Sequence, residues 1–264
     1  MALAVSEKID QGKLWISFVI LHLLVYPASN GYNSYFDKDE NSIGGLKNPP
    51  KVSKELYSVS IAMDIVALIG AFAISLEFAL MIFIYGAISK AYSHPSIRLK
   101  KYPVIGWLAA GIFQGYWTFI LSYIALTNTN LADVWVSSVQ IPGALSTFLL
   151  LGSYPMTQIY QHDEDTKRGD ITISKKLGIL GTFHFTAVAF LFSSTGFFYF
   201  FMKEFSLNAA LLFGVAMFPV LTYFSYWYLQ VRKNTLAANF SSTMRLNFIS
   251  ALMLNSYFIY LWLS

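Results

Sequence analysis

Residues 179–202 read ILGTFHFTAVAFLFSSTGFFYFFM, 24 positions without an acid, a lysine or an arginine. As a helix such a run is about 36 Å long, enough to cross the ~30 Å hydrocarbon core of a bilayer. In that core every backbone N–H and C=O must be bonded within the segment, which a helix does and an open strand does not. The run therefore predicts a transmembrane helix, and the same reading extends outward in both directions. Comparable stretches lie at roughly 14–29, 56–73, 78–91, 103–126 and 134–159 before it, and at 207–228 and 244–263 after it. Together they predict eight spans. No linker between them is long enough to separate domains, so residues 1–264 read as one all-α, multi-pass transmembrane bundle.

Composition agrees. Of 264 residues, 56% are hydrophobic and 12% charged, where a soluble domain carries about 25% charged residues; mean hydropathy is +0.52. The absence of cysteine excludes disulfides, thiolate metal sites and cysteine nucleophiles. The basic residues lie between spans, and no nucleic-acid module is visible. The first 13 residues are short and mixed in polarity, and do not read as a cleavable signal peptide.

The placement of charge says more than its sum. Of the 18 Lys and Arg residues, 15 fall in the loops after spans one, three, five and seven; the other three are Lys8, Lys13 and Lys203. The positive-inside bias predicts that the crowded face is cytoplasmic, in what is read as a bacterial cell membrane. Asp37, Asp39, Glu40, Glu55, Asp163, Glu164, Asp165 and Asp170 share that face. A surface that only gripped anionic lipid would not need these acids. Acid and base mixed at one membrane face suit a site for a metal and a polyanion.

Two segments on that face are alike. Tyr26-Pro27-Ala28-Ser29-Asn30-Gly31-Tyr32-Asn33-Ser34-Tyr35-Phe36-Asp37 matches Tyr154-Pro155-Met156-Thr157-Gln158-Ile159-Tyr160-Gln161-His162-Asp163-Glu164-Asp165 in its Tyr, Pro, amide, Tyr, amide and Asp, 128 residues on. Each closes a span running toward the same face, and four spans separate them. Two parallel four-helix halves, related by an axis along the membrane normal, would set these segments opposite each other. If both stay helical, Asn30, Asn33, Asp37 and Asn41 form one stripe, and Gln158, Gln161 and Asp165 the matching one. Oxygen ligands from facing stripes suit Mg²⁺, usually held by one or two carboxylates with water and phosphate oxygens. Asp39, Glu40 and Asp170 read equally well as solvated loop charges.

These residues resemble the motifs of the UbiA family of intramembrane prenyltransferases. Asn33-Ser34-Tyr35-Phe36-Asp37 resembles its first aspartate-rich motif, Asn-Asp-x-x-Asp-x-x-x-Asp. Gln161 to Thr172 resembles the second, Asp-x-x-x-Asp followed by Gly and Thr, with Asp165, Gly169 and Thr172 in place. Tyr92-Ser93-His94-Pro95-Ser96-Ile97-Arg98-Leu99-Lys100 resembles the family's Tyr-Ser-x-Pro-Pro-x-Arg-Leu-Lys stretch. The resemblance covers almost the whole chain. It implies transfer of a polyprenyl group from its diphosphate to an aromatic or other lipophilic acceptor, with Mg²⁺ as cofactor. On this reading Asp37, Asp165, Asn33 and Gln161 are the catalytic set. Asp37, Asn33, Asn41, Asp165 and Asp163 are the metal ligands. Tyr92, Arg98, Lys100, Lys167 and Arg168 meet the diphosphate.

The sequence departs from the family pattern. Ser34 and Asn41 stand where the first motif has Asp, and Gln161 stands where the second has one, so each motif keeps a single well-placed carboxylate. The family has nine spans with the first motif after the second; here one span precedes Asn33, and Met1 to Val5 are expected to be the tail of a missing first helix. A small-solute transporter and a catalytically degenerate, lipid-binding relative remain as other readings. Asp64, inside the second span, is either a base toward the acceptor or the partner of a lysine such as Lys54. Glu77 and Asp133 read as solvated.

Overall fold

The computed structural model describes residues 1–264 and contains nine helices and no β-strand. They are α1 (Gln11–Asp37), α2 (Glu55–Ala71), α3 (Leu76–Ser93), α4 (Pro103–Thr127), α5 (Ser137–Gln158), α6 (His162–Arg168), α7 (Ile173–Glu204), α8 (Leu207–Lys233) and α9 (Phe240–Leu263). Eight are long and coincide with the eight expected spans; α6 is a short helix on the loop face. Six of them, α1, α3, α4, α7, α8 and α9, are individually long and apolar enough to cross a membrane. Of the other two, α2 has 17 residues, and α5 carries Pro142 and Pro155 in its interior.

Local chemistry sets many of the helix starts. Asp10, Ser75, Thr172, Ser206 and Asn239 each accept a backbone N–H of the first turn with a side-chain oxygen, for α1, α3, α7, α8 and α9, satisfying a donor that has no partner within the helix. Pro103 opens α4, where its missing N–H costs nothing. Inside α1 and α4 the backbone widens to π-helix, over Val19–Val25 and Phe113–Trp117. The second widening lies where α4 meets α5. There a Cβ on Gly115 would fall 2.6 Å from Thr147 Cα, so only glycine allows the approach, and the Thr147 hydroxyl takes the Tyr116 N–H at 2.9 Å.

The interior divides in two. One cluster of 18 buried side chains joins α1–α4 with the start of α5, including Phe78, Ile120, Leu121 and Val139. A second cluster of 18 joins the rest of α5 to α7–α9 around Phe183, Phe197, Phe201, Phe213, Trp227 and Tyr257. Met1 and Val5 pack against both. In lipid such packing, rather than exclusion of water, is what associates helices.

Asp64 does not meet Lys54, which lies at the N-terminus of its own helix, ten residues or about 15 Å away along the axis. It forms an ion pair with Lys90 of α3, and the ammonium also lies 5.0 Å from the centre of the Tyr32 ring. Glu77 is not merely solvated: its carboxylate accepts the Leu131 N–H at 2.8 Å and ties down the loop before α5.

Candidate active site at the loop face

α1 runs unbroken through the first motif and stops at Asp37, because Lys38 takes a left-handed conformation (φ 51°) that ends the helix. The stripe of Asn30, Asn33 and Asp37 is therefore realised, but it ends a turn before Asn41. Asn41 instead donates to the Glu164 carboxylate. The second segment breaks after Gln158 and resumes as α6, with Gln161 at its N-cap. Gln161 and Asp165, four apart, still face inward. Asp163 is exposed, and Lys167, 63% exposed, reaches only Glu164. These outward directions follow from the helical period, which puts positions 163 and 167 on the far side of a helix that buries 161 and 165.

The two stripes line one cavity of 710 Å³. Its wall holds Asn30, Asn33 and Asp37 from the first segment and Gln158, Gln161 and Asp165 from the second, with Tyr92, Lys100, Arg168 and Asp170 between them. Inward it continues into a 260 Å³ pocket that shares Asn30, Asn33, Tyr92, Tyr154, Thr157 and Gln161 and ends against Tyr85, Ile88, Phe113 and Gln114. The Tyr92 and Tyr154 hydroxyls meet at 2.5 Å across the junction.

The charged side chains of the cavity form one network. Arg98 grips Asp170 with two nitrogens, Nε at 2.9 Å and Nη2 at 2.7 Å, and reaches Asp37 with Nη2 at 3.3 Å. Lys100 donates to both oxygens of Asp37 and, at 2.7 Å, to the Asn33 Oδ1, which also accepts from Ser93. Arg168 bonds Asp39, Asp165 (3.0 Å) and Asp170 (3.4 Å). Thr172 gives its hydroxyl to the other Asp165 oxygen at 3.0 Å. Asp37, Asp165 and Asp170 are 5%, 6% and 3% exposed. Behind α6, His162 bonds Ser174, which bonds Thr182 beyond the kink at Gly178. In the sequence Asp39 and Asp170 read equally well as solvated loop charges. Both are ion partners, and no local pattern signals this, since Arg98 and Asp170 are 72 residues apart.

Burial sets the proton affinities. It pushes the Asp165 carboxyl up to about 6, against the opposing hydrogen bond from Thr172. Burial pushes Asp170 the same way, but the hydrogen bonds and charge of Arg98 outweigh it and hold that carboxyl below its ordinary value. Burial lowers Lys100, with Asp37 opposing. The Asp170 hydrogen bond raises Arg98.

No three acidic or imidazole groups gather as a self-contained metal cage. At the first segment the oxygens of Asp37 and Asn33 are already taken by Lys100, which does not fit a divalent ion. At the second, Asp165 accepts from Arg168 and from the neutral Thr172 hydroxyl rather than from an ammonium, and lines the cavity beside Gln158 and Gln161, oxygens of the kind a hard cation takes together with water and phosphate. The cavity wall carries four carboxylates (Asp37, Asp39, Asp165, Asp170) and three cations (Lys51, Lys100, Arg168), and Arg98 adds a fourth cation through its bonds to Asp37 and Asp170.

Comparison with known proteins bears on what such a cavity does. Residues 1–250 match the model of the UbiA prenyltransferase family. Among solved structures, a UbiA homolog from Archaeoglobus fulgidus is similar at 16% identity and TM-score 0.64, covering 100% of this chain and 93% of that one. The same homolog bound to GPP and Mg²⁺ is similar at 15% identity and TM-score 0.64, with the same coverage. A structure concerning digeranylgeranylglyceryl phosphate synthase in membranes is similar at 18% identity and TM-score 0.62, covering 99% of this chain and 89% of that one. A search of curated proteins found no match.

Proposed function

This chain belongs to the UbiA prenyltransferase family, and from that premise we propose that it transfers a prenyl group from its diphosphate to a lipophilic acceptor. The observation that carries the reading is the cavity shared by the two motif segments: polar and charged at its mouth, and apolar and aromatic at its inner end. The diphosphate lies at the mouth, against Arg98, Lys100 and Arg168, with Tyr92 and Tyr154 at the neck. The prenyl chain runs inward past Tyr85, Ile88 and Phe113. The mouth faces the cytoplasm, on the strength of the 15 cations on that side.

The carboxylates Asp37, Asp39, Asp165 and Asp170 along the cavity would repel a polyanion, so a divalent cation belongs with the diphosphate, and Asp165 with Gln161 would hold it. When bound, such an ion stabilises the charge developing on the leaving diphosphate. The chain's own guanidinium and ammonium groups, held in place before substrate arrives, stabilise the same charge. The allylic C–O bond breaks with its electron pair going to the diphosphate oxygen. The allylic carbon, left electron-poor, faces the rings of Tyr92 and Tyr154. The acceptor's nucleophile bonds to that carbon, and the acceptor's proton passes to solvent or to the released diphosphate.

Binding of geranyl diphosphate to detergent-purified protein, with and without Mg²⁺, tests this. Wild type is expected to bind more tightly with Mg²⁺, and Asp37→Ala plus Asp165→Ala to lose the binding while still eluting as a folded species. No binding by folded wild-type protein would overturn the reading and return the chain to the lipid-binding or transport alternatives.

A further inference from the structure

We propose that the Lys100 ammonium occupies the seat at the first motif that a divalent cation takes at the second, so that the chain binds a prenyl diphosphate with one divalent ion rather than a symmetric pair. This rests on the donor site proposed above. Its ground is the asymmetry of the two segments.

At the first segment three oxygens converge on one nitrogen: both carboxylate oxygens of Asp37 and the amide oxygen of Asn33. That is how a small cation is held. Ser34 and Asn41 bring no charge to this segment, and Asn41 lies outside the cavity, engaged with Glu164. One carboxylate with one ammonium is neutral, and Arg98 stands 3.3 Å from the same oxygen atom. A divalent ion added there would meet two cations and find one carboxylate already occupied.

The ammonium is built in rather than resting on the surface. Lys100 is 8% exposed. Its backbone lies in a 3-10 turn, Leu99–Lys101, that follows Arg98 in a left-handed conformation (φ 47°). The start of α4 presses directly on that turn. A Cβ at Gly106 would come within 2.8 Å of Lys100 Cα, so a glycine is what permits the contact. The Tyr92 ring lies 6.0 Å from the ammonium on the cavity side.

The second segment is the reverse. Asp39, Asp165 and Asp170 share one guanidinium of their own, Arg168, and part of Arg98. In direct contacts, three carboxylates there share those two guanidiniums, beside the amides of Gln158 and Gln161.

Counting Mn²⁺ tests the inference independently of turnover. Purified full-length protein is saturated with the thiolo analogue of geranyl diphosphate, which resists ionisation, and bound Mn²⁺ is measured by equilibrium dialysis and its EPR signal. One Mn²⁺ per chain is expected for wild type, two for Lys100→Ala, and none for Asp165→Asn, while Asp37→Asn keeps its one. Two in wild type would overturn the proposal, as would one in a folded Lys100→Ala. If Lys100→Ala does not fold, the wild-type count and the contrast between Asp165→Asn and Asp37→Asn still decide. Failure of folded wild type to retain the analogue at any Mn²⁺ concentration would overturn the underlying donor site, and this proposal with it, an outcome distinct from a count of two.

Discussion

Arg98 is the strap between the two halves of the molecule, and its removal gives a prediction that does not depend on what the protein catalyses. Arg98 comes from the loop between α3 and α4, and holds Asp170 through two nitrogens while touching Asp37. Replacing it with Met keeps much of the aliphatic stem but leaves Asp170, 3% exposed, without its main partner. Breaking a buried pair from one side costs about 3–5 kcal/mol. Two contacts remain to soften the loss: Arg168 at 3.4 Å from Asp170, and Lys100 on Asp37. We therefore expect Arg98→Met to cost about 2–3 kcal/mol, below most of that range. For a chain of this size that lowers the melting temperature by about 5–10 °C. Thermal unfolding in detergent, followed by loss of the monodisperse chromatographic peak, measures it. The paired variant Arg98→Met with Asp170→Asn removes both charges and is expected to regain more than half of the loss. A melting temperature unchanged by Arg98→Met, or a paired variant less stable than the single one, would refute the reasoning that the carboxylate depends on this guanidinium.

Gly106→Ala places a methyl against the Lys100 backbone; it is expected to cost about 1–3 kcal/mol and to weaken geranyl diphosphate binding at least tenfold, read by calorimetry. Asp165, raised to about 6 from 3.8, binds its proton more readily in the folded than in the unfolded chain. Its contribution to stability without ligand is complete below 3.8 and is lost as pH rises through about 6. Metal-dependent diphosphate binding runs the other way, falling as pH drops through about 6, and Asp165→Asn should flatten both profiles. Asp64→Leu strands the Lys90 ammonium within the helices and is expected to lower the melting temperature by several degrees, with Asp64→Leu plus Lys90→Leu closer to wild type.

How much of this was legible in the sequence follows from how local each feature is. The eight long helices were readable because membrane crossing imposes length and apolarity on contiguous residues. The paired stripes were readable because the helical period brings Asn30, Asn33 and Asp37 to one face, and Gln161 and Asp165 to another, wherever the helices go. The end of α1 at Lys38 was not, since a lysine in a left-handed conformation leaves no mark in composition; Asn41 was misplaced for that reason. The break between Gln158 and His162 was equally hidden. Charge partners were the least legible. Lys90 rather than Lys54 meets Asp64, and Arg98 meets Asp170, because these contacts are decided by which helices lie side by side. Chain distance carries little of that information.

The division into two cores has a consequence for how the chain is made. Asp37 and Lys100 both lie in the first half, and so do Asp64 and Lys90, so the first four helices emerging from the ribosome can enter the bilayer with those charges already matched. Asp39 must wait for Arg168, made 129 residues later, and Arg98 for Asp170, made 72 residues later. At synthesis rates of about 5–20 residues per second, that interval lasts several seconds, during which a guanidinium at the membrane surface has only a shared contact with Asp37. The strap then closes when the second half arrives, and a chain whose second half fails to dock is left with Arg98 in contact with Asp37 alone.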